Sequence, residues 1–149
     1  MSQWDKLSGR FDTHKNQLEI DPSAADNILI AWPSLLRGIE GVQRSGRGLK
    51  VLDFGCGTGG FCKELQRHKY DVTGIDSSAG MIEIAKRNLP STVHIYGPFE
   101  DDISQLQEAP FNLITAVMVF QFIENVSATF RGLVKGFFPE QKYSIEVIE

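Results

Sequence analysis

The chain is poor in cysteine, holding only Cys56 and Cys62 among 149 residues, and it lacks both a long apolar run and an excess of basic charge. Each shortage excludes a class. Two thiols build no disulfide framework, and neither stands at metal-ligand spacing from a partner, so a reducing interior and no metal site are expected. The longest apolar stretch, around Leu113 to Phe120, is too short to cross a bilayer. Met1-Ser2-Gln3-Trp4-Asp5-Lys6 is not a basic start followed by an apolar core, so no secretory leader is read. A cytoplasmic protein with no membrane partner is expected. Fifteen basic against nineteen acidic side chains give a net charge of −4. That sign disfavours nucleic acid as a partner, because non-specific affinity for it comes mostly from neutralised phosphates. Arg44, Arg47 and Lys50, scattered around Ser45, Gly46 and Gly48, read as a solvated loop.

What is present is a regular alternation. The first twenty residues are polar with Trp4 and Phe11 and show no clean period. Asp21-Pro22 reads as a cap followed by a first helical residue. Ile28, Trp32, Leu35, Leu36 and Ile39 then follow at helical spacing, with Pro33 expected to kink or split that helix. From Leu49 onward, short apolar runs alternate with helical stretches. The runs are Val51–Phe54, Tyr70–Ile75, Val93–Tyr96, Phe111–Val119 and Tyr143–Ile148. Between them lie helical patterns from Phe61 to Leu65, from Met81 to Leu89 with Ser78 as cap, and from Val126 to Phe137, plus a short helix over Asp101–Gln107. Strands separated by helix-length crossovers must pair in parallel, and parallel strands need both faces covered. The expected fold is α/β, a doubly wound and mostly parallel sheet behind a leading helix. Residues 1–48 read as an N-terminal lid or helical segment and 49–149 as the α/β core, one domain overall.

The chemistry concentrates in Val51-Leu52-Asp53-Phe54-Gly55-Cys56-Gly57-Thr58-Gly59-Gly60, where a strand runs into glycines and then into a helix. Glycines let the backbone turn sharply and let a ligand lie against it, while the helix start presents unpaired N–H groups. Asp76, about 20 residues on at the end of the next strand, is placed to accept from both hydroxyls of an adenosine ribose. Gly55, Gly57 and Gly60 also satisfy dinucleotide spacing, so an NAD(P)-dependent oxidoreductase is the rival. Asp53 is expected to discriminate: beside a pyrophosphate it would repel by several kcal/mol in a dry site, whereas beside the ammonium of an amino-acid tail it would attract.

Residues 51–60 with Asp76 resemble motifs I and II of the class I S-adenosylmethionine-dependent methyltransferases, and the order of elements agrees from about residue 49 to 149. The resemblance implies S-adenosyl-L-methionine as cofactor, S-adenosyl-L-homocysteine as product, and methyl transfer to an unidentified small molecule. It places Gly55, Cys56 and Gly57 on the methionine part, Asp76 on the ribose, and Ser77 and Met81 near the adenine. Pro98 occupies the usual place of the adenine-binding acid, so Phe99 and Glu100 are the candidates to take that role. Phe111–Met118 resembles motif IV, with Asn112 where aspartate is commoner. Ala116 and Val117, with Met118, would sit under the reacting methyl, and Phe120–Glu124 would border the acceptor.

No fixed catalytic residue is expected, since displacement at a sulfonium methyl mainly requires orientation and desolvation. His14 reads as exposed, and His68 and His94 as lacking partners. Members of the family normally continue beyond the fifth strand, so a C-terminally truncated sheet is expected. Its uncovered edge would belong to a larger protein or to a homodimer. A non-catalytic S-adenosylmethionine-binding module is the remaining alternative.

Overall fold

The fold is given by a computed structural model that describes residues 2–14, 25, 27–42, 48–98 and 103–137. Its centre is a sheet of four strands, β1 (Lys50–Phe54), β2 (Asp71–Ile75), β3 (His94–Tyr96) and β4 (Leu113–Thr115), in the order β3-β2-β1-β4. Every pairing is parallel, as the helix-length crossovers require.

Successive side chains on a strand face opposite ways, and β1 shows it: Val51 and Leu52 are both fully buried but belong to separate cores. Val51 packs with Val72, Trp32, Phe61, Cys62 and Leu65. That core takes in α2 (Trp32–Val42) and α3 (Gly60–Arg67). Leu52 packs with Ile75, Ile103, Leu106, Phe111 and Leu133, the last from α5 (Val126–Phe137). Each such side chain, fully buried, contributes about 1.5–3 kcal/mol of hydrophobic stabilisation. The sheet is thus covered on both faces, the doubly wound arrangement expected.

Asn112 fixes the start of β4 against β1: Lys50 N–H donates to its Oδ1 at 2.9 Å, and its own N–H donates to the Lys50 carbonyl at 2.8 Å. Asparagine therefore does structural work here. The helix α4 (Ala79–Asn88) is capped by Ser78, whose Oγ accepts from Met81 N–H at 3.2 Å.

The leading helix breaks where proline predicted. A wide turn with i→i+5 bonding, Asn27–Ala31, gives way to α2 at Trp32, one residue before Pro33. Proline has no N–H to continue the ladder, and Ser34 Oγ donates to the Ile30 carbonyl at 2.8 Å beside it. The helix start at Asp21-Pro22 lies outside the described residues.

Two expectations need correcting. The fourth strand stops at Thr115 rather than running to Val119, because Asp53↔Thr115 is its last pair with β1 and the chain beyond has no described strand to bond. The helix over Asp101–Gln107 is a single 3₁₀ turn, Ile103–Gln105, with Asp101 and Asp102 outside the described residues. The fifth strand, Tyr143–Ile148, also lies outside them. No helix among the described residues is long and apolar enough to cross a membrane.

Candidate cofactor site

Strands β2 and β3 lie to one side of β1, and β4 to the other. The chain therefore reverses its winding at β1, and a crevice opens there beyond the carboxyl ends of the strands. The glycine turn fills the base of that crevice. Gly55 and Gly57 have φ of 73° and 55°, a left-handed backbone that side chains strain to adopt. The N–H groups of Gly55 and Cys56 both donate to the Ile75 carbonyl at 2.9 Å, which ties the turn to the end of β2.

Asp76 stands where the two strands end. Its Oδ2 accepts from Gly57 N–H at 2.9 Å and its Oδ1 from Ser78 N–H at 2.8 Å. Burial pushes its pKa up, and the amides of Ser78 and Gly57 oppose that shift. Each oxygen keeps lone pairs to offer a ligand.

Above this pair lies a cleft of about 250 Å³. Gly55, Gly57, Ile75, Asp76, Ser77 and Met81 line it together with Trp4, Phe54, Met118, Val119, Phe122 and Ile123. A Cβ built on Gly57 would meet nothing nearer than Met81 Sδ at 4.0 Å, so the turn is open toward the cleft. A larger depression of about 310 Å³, between Lys86, Leu89 and the strand His94–Tyr96, shares no residue with the glycine turn.

The N-terminal segment closes the cleft from outside. The short helix α1 (Gln3–Leu7) begins with a capping box between Ser2 and Asp5. Asp5 Oδ1 also accepts from Ser78 Oγ at 2.8 Å and from Gly80 N–H at 3.0 Å, which holds α1 against the start of α4. Those bonds, the Gly80 amide foremost, keep the Asp5 carboxyl below the usual carboxylate range. Trp4 then meets Phe122 edge-on with ring centroids 4.7 Å apart. Further along, Thr58 Oγ1 donates to the Phe11 carbonyl at 3.0 Å, and His14 Nε2 donates to the Thr58 carbonyl at 2.7 Å.

Residues 15–139 match the family described as Methyltransferase domain. The chain belongs to that family. Among its relatives, trans-aconitate 2-methyltransferase of Rhizobium etli is 33% identical over 90 residues, covering 58% of this chain and 34% of that protein. A solved S-adenosylmethionine-dependent methyltransferase from Thiobacillus denitrificans, in complex with S-adenosyl-L-homocysteine, is 25% identical. It aligns over 72% of this chain and 45% of its own, with a TM-score of 0.53. Magnesium protoporphyrin IX methyltransferase from Synechocystis, with bound SAH, shares the fold at a TM-score of 0.67 and 19% identity, over 90% of this chain and 63% of that one. The chain spans only 34% to 43% of the length of the first curated relatives it matches.

Within this methyltransferase domain the expected site residues divide. Gly55, Gly57, Asp76, Ser77 and Met81 come together on the cleft. Asp53 does not, which corrects the electrostatic expectation placed on it. Strand alternation turns it the same way as Val51, into the core under α3. There its Oδ1 accepts from Thr115 Oγ1 at 2.8 Å and its Oδ2 from Cys62 Sγ at 3.4 Å. It is 2% exposed, and burial pushes its pKa up from 3.8 to about 6. Family membership, not Asp53, is what separates this cleft from a dinucleotide site.

Cys56 is buried as well, its thiol directed at the Gly57 carbonyl 3.7 Å away, so its side chain does not line the cleft. Ala116 and Val117 are corrected too: neither lines the cleft, and Val117 packs against the core cluster that includes Val51, whereas Met118, expected beside them, does line it, with Val119. Phe99 and Glu100 lie outside the described residues. His14 is partly buried rather than exposed, and His68 and His94 each have a carboxylate partner, Glu40 and Glu108, at 3.2 Å.

Sequence reasoning missed Trp4 and Asp5. The signal was the capping box, Ser2 with an acid three residues on, which marks a helix in a stretch that has no period.

Proposed function

We propose that the cleft binds S-adenosyl-L-methionine and that the chain is the cofactor-binding part of a methyltransferase acting on a small-molecule acceptor. The observation that carries this reading is the bond from Gly57 N–H to Asp76 Oδ2, between two residues that both line the cleft. It brings an open glycine backbone and a hydrogen-bonded carboxylate together at the winding reversal, which suits an adenosine with an extended tail.

In this reading Asp76 accepts from the ribose hydroxyls. Ser77 and Met81 flank the adenine, with Ile75 as an apolar wall, and the backbone of Gly55 and Gly57 receives the methionine part. Phe99 and Glu100 remain candidates for the adenine edge. Asp53 stays outside the cleft, bonded to Thr115 and Cys62. When bound, the cofactor supplies an electrophilic methyl group on a sulfonium. The chain's own work is to hold the two reactants in line and to exclude water, through Phe54, Met118, Val119 and Phe122. The side chains lining the described cleft include no histidine or lysine to act as a base.

The cofactor-bound neighbour from Thiobacillus denitrificans supports the choice of ligand, and relatives named for trans-aconitate and magnesium protoporphyrin IX support a small acceptor. Thermal melting of the chain with S-adenosyl-L-homocysteine or with NAD tests it. Stabilisation by the first alone is expected, and stabilisation by NAD alone would overturn the reading.

A further inference from the structure

The two cysteines, both free and buried, meet on one face of the sheet. Asp53 on β1 pairs in register with Gly74 on β2. A Cβ built on Gly74 would come within 2.9 Å of Cys62 Sγ and 3.0 Å of Cys56 Cβ, so both side chains crowd onto one point above that glycine. The thiols hydrogen-bond to each other, and Cys62 Sγ also donates to Asp53 Oδ2 at 3.4 Å.

Bonding to Cys56, burial and the Asp53 carboxylate push the Cys62 thiol well above its ordinary pKa. Such a thiol is inert unless a neighbour takes its proton as it reacts. Asp53 is that neighbour: burial raises its carboxyl to about 6, so at neutral pH it is mostly ionised and still basic enough to accept. Cys56 is 7% exposed against 0% for Cys62, so an oxidant reaches Cys56 first. It also lies between Gly55 and Gly57, which both line the cleft.

We infer that Cys56 and Cys62 are a modification site, a dithiol that a peroxide closes to a disulfide with Asp53 as proton acceptor, and that closure pulls the glycine turn away from Asp76. The effect on the cofactor rests on the reading of the cleft as a cofactor site; the crosslink does not. Cys56 Sγ attacks one peroxide oxygen, the O–O bond breaks, and the Cys56 thiol proton leaves with the displaced hydroxide as water. Cys56 then carries a sulfenic S–OH. Cys62 Sγ passes its proton to Asp53 Oδ2 and attacks the Cys56 sulfur. The S–S bond forms, the S–OH bond breaks, and the hydroxide takes that proton from Asp53 as a second water. The two thiols have given two electrons to the peroxide. A covalent bond is shorter than a thiol contact, so Cys56 is drawn toward α3. The amides of Gly55 and Cys56 on the Ile75 carbonyl, and of Gly57 on Asp76, are loosened by that shift.

The test treats the 149-residue chain with hydrogen peroxide, then digests it with trypsin. The tryptic peptide 51–63 holds both cysteines and no methionine, so its mass reports on the thiols alone. It should lose two hydrogen atoms and resist alkylation, and dithiothreitol should reverse both changes. Calorimetry with S-adenosyl-L-homocysteine should show affinity weakened about fivefold or more in the oxidised chain and restored by dithiothreitol. Cys62→Ala should stop at the sulfenic acid of Cys56, trapped by dimedone, and Asp53→Asn should slow closure several-fold. A native peptide that peroxide leaves unchanged or only adds oxygen to would overturn the inference. So would closure unslowed in Asp53→Asn, or a disulfide that leaves the affinity within about twofold. No binding of S-adenosyl-L-homocysteine by the reduced chain would overturn the cofactor reading, and the peptide would still decide the crosslink.

Discussion

Gly57 donates its backbone N–H to Asp76 Oδ2 at 2.9 Å, joining the turn after β1 to the acid after β2. Their backbone placement follows from the parallel register that pairs Phe54 with Ile75, the last residues of the two strands. Once β1 and β2 lie side by side with those ends level, the turn that follows one strand and the acid that follows the other become neighbours.

The buried carboxyl of Asp53 gives stability a pH dependence. Its pKa rises from 3.8 unfolded to about 6 folded, so the folded chain holds the extra proton between those values. Stability should therefore fall as pH rises from about 4 to about 6, by roughly 3 kcal/mol in total, and then level off. Asp53→Asn should flatten much of that slope, and the raised pKa of Asp76 should leave a residual slope of the same sign. Urea unfolding from pH 4 to pH 8 measures it; an unchanged slope in the variant would count against the assignment.

Asp5 behaves oppositely. Its carboxyl is held below the usual range, so the attachment of α1 should persist at every pH above that range and be lost only when pH falls below it. Asp5→Ala should release α1 at neutral pH. Trypsin cleavage after Lys6 and Arg10 should then become several-fold faster, with Trp4 emission shifted to the red.

Gly55→Ala should unfold more easily by about 1–3 kcal/mol. The new Cβ would have to adopt φ of 73° and would collide with Val119 Cγ2, so the segment after β4 must move. Urea denaturation reads the loss directly, and an unchanged midpoint would contradict this packing.

The layout of the sheet was legible because its signals are local. Val51-Leu52 before glycines, Ser78 before Met81, and Pro33 inside a helical period each state their structure within a few residues. Asp53 was misread because its nearness to the glycines was weighed above strand alternation, which turns it inward with Val51, and because its partner Thr115 lies 62 residues on. Val117 was misplaced because the end of β4 is set by where β1 stops pairing. Trp4 was missed because only tertiary contacts, Asp5 with Ser78 and Gly80, bring it over the cleft.

The central claim is that Asp76 holds an adenosyl ligand, and calorimetry with S-adenosyl-L-homocysteine on the native chain and on Asp76→Ala tests it most directly. Binding by the native chain is predicted, weakened about tenfold or more in the variant through lost hydrogen bonds to a charged acceptor, with circular dichroism showing the variant folded. Affinity within about twofold of native in a folded variant, or no heat from the native chain, would contradict it.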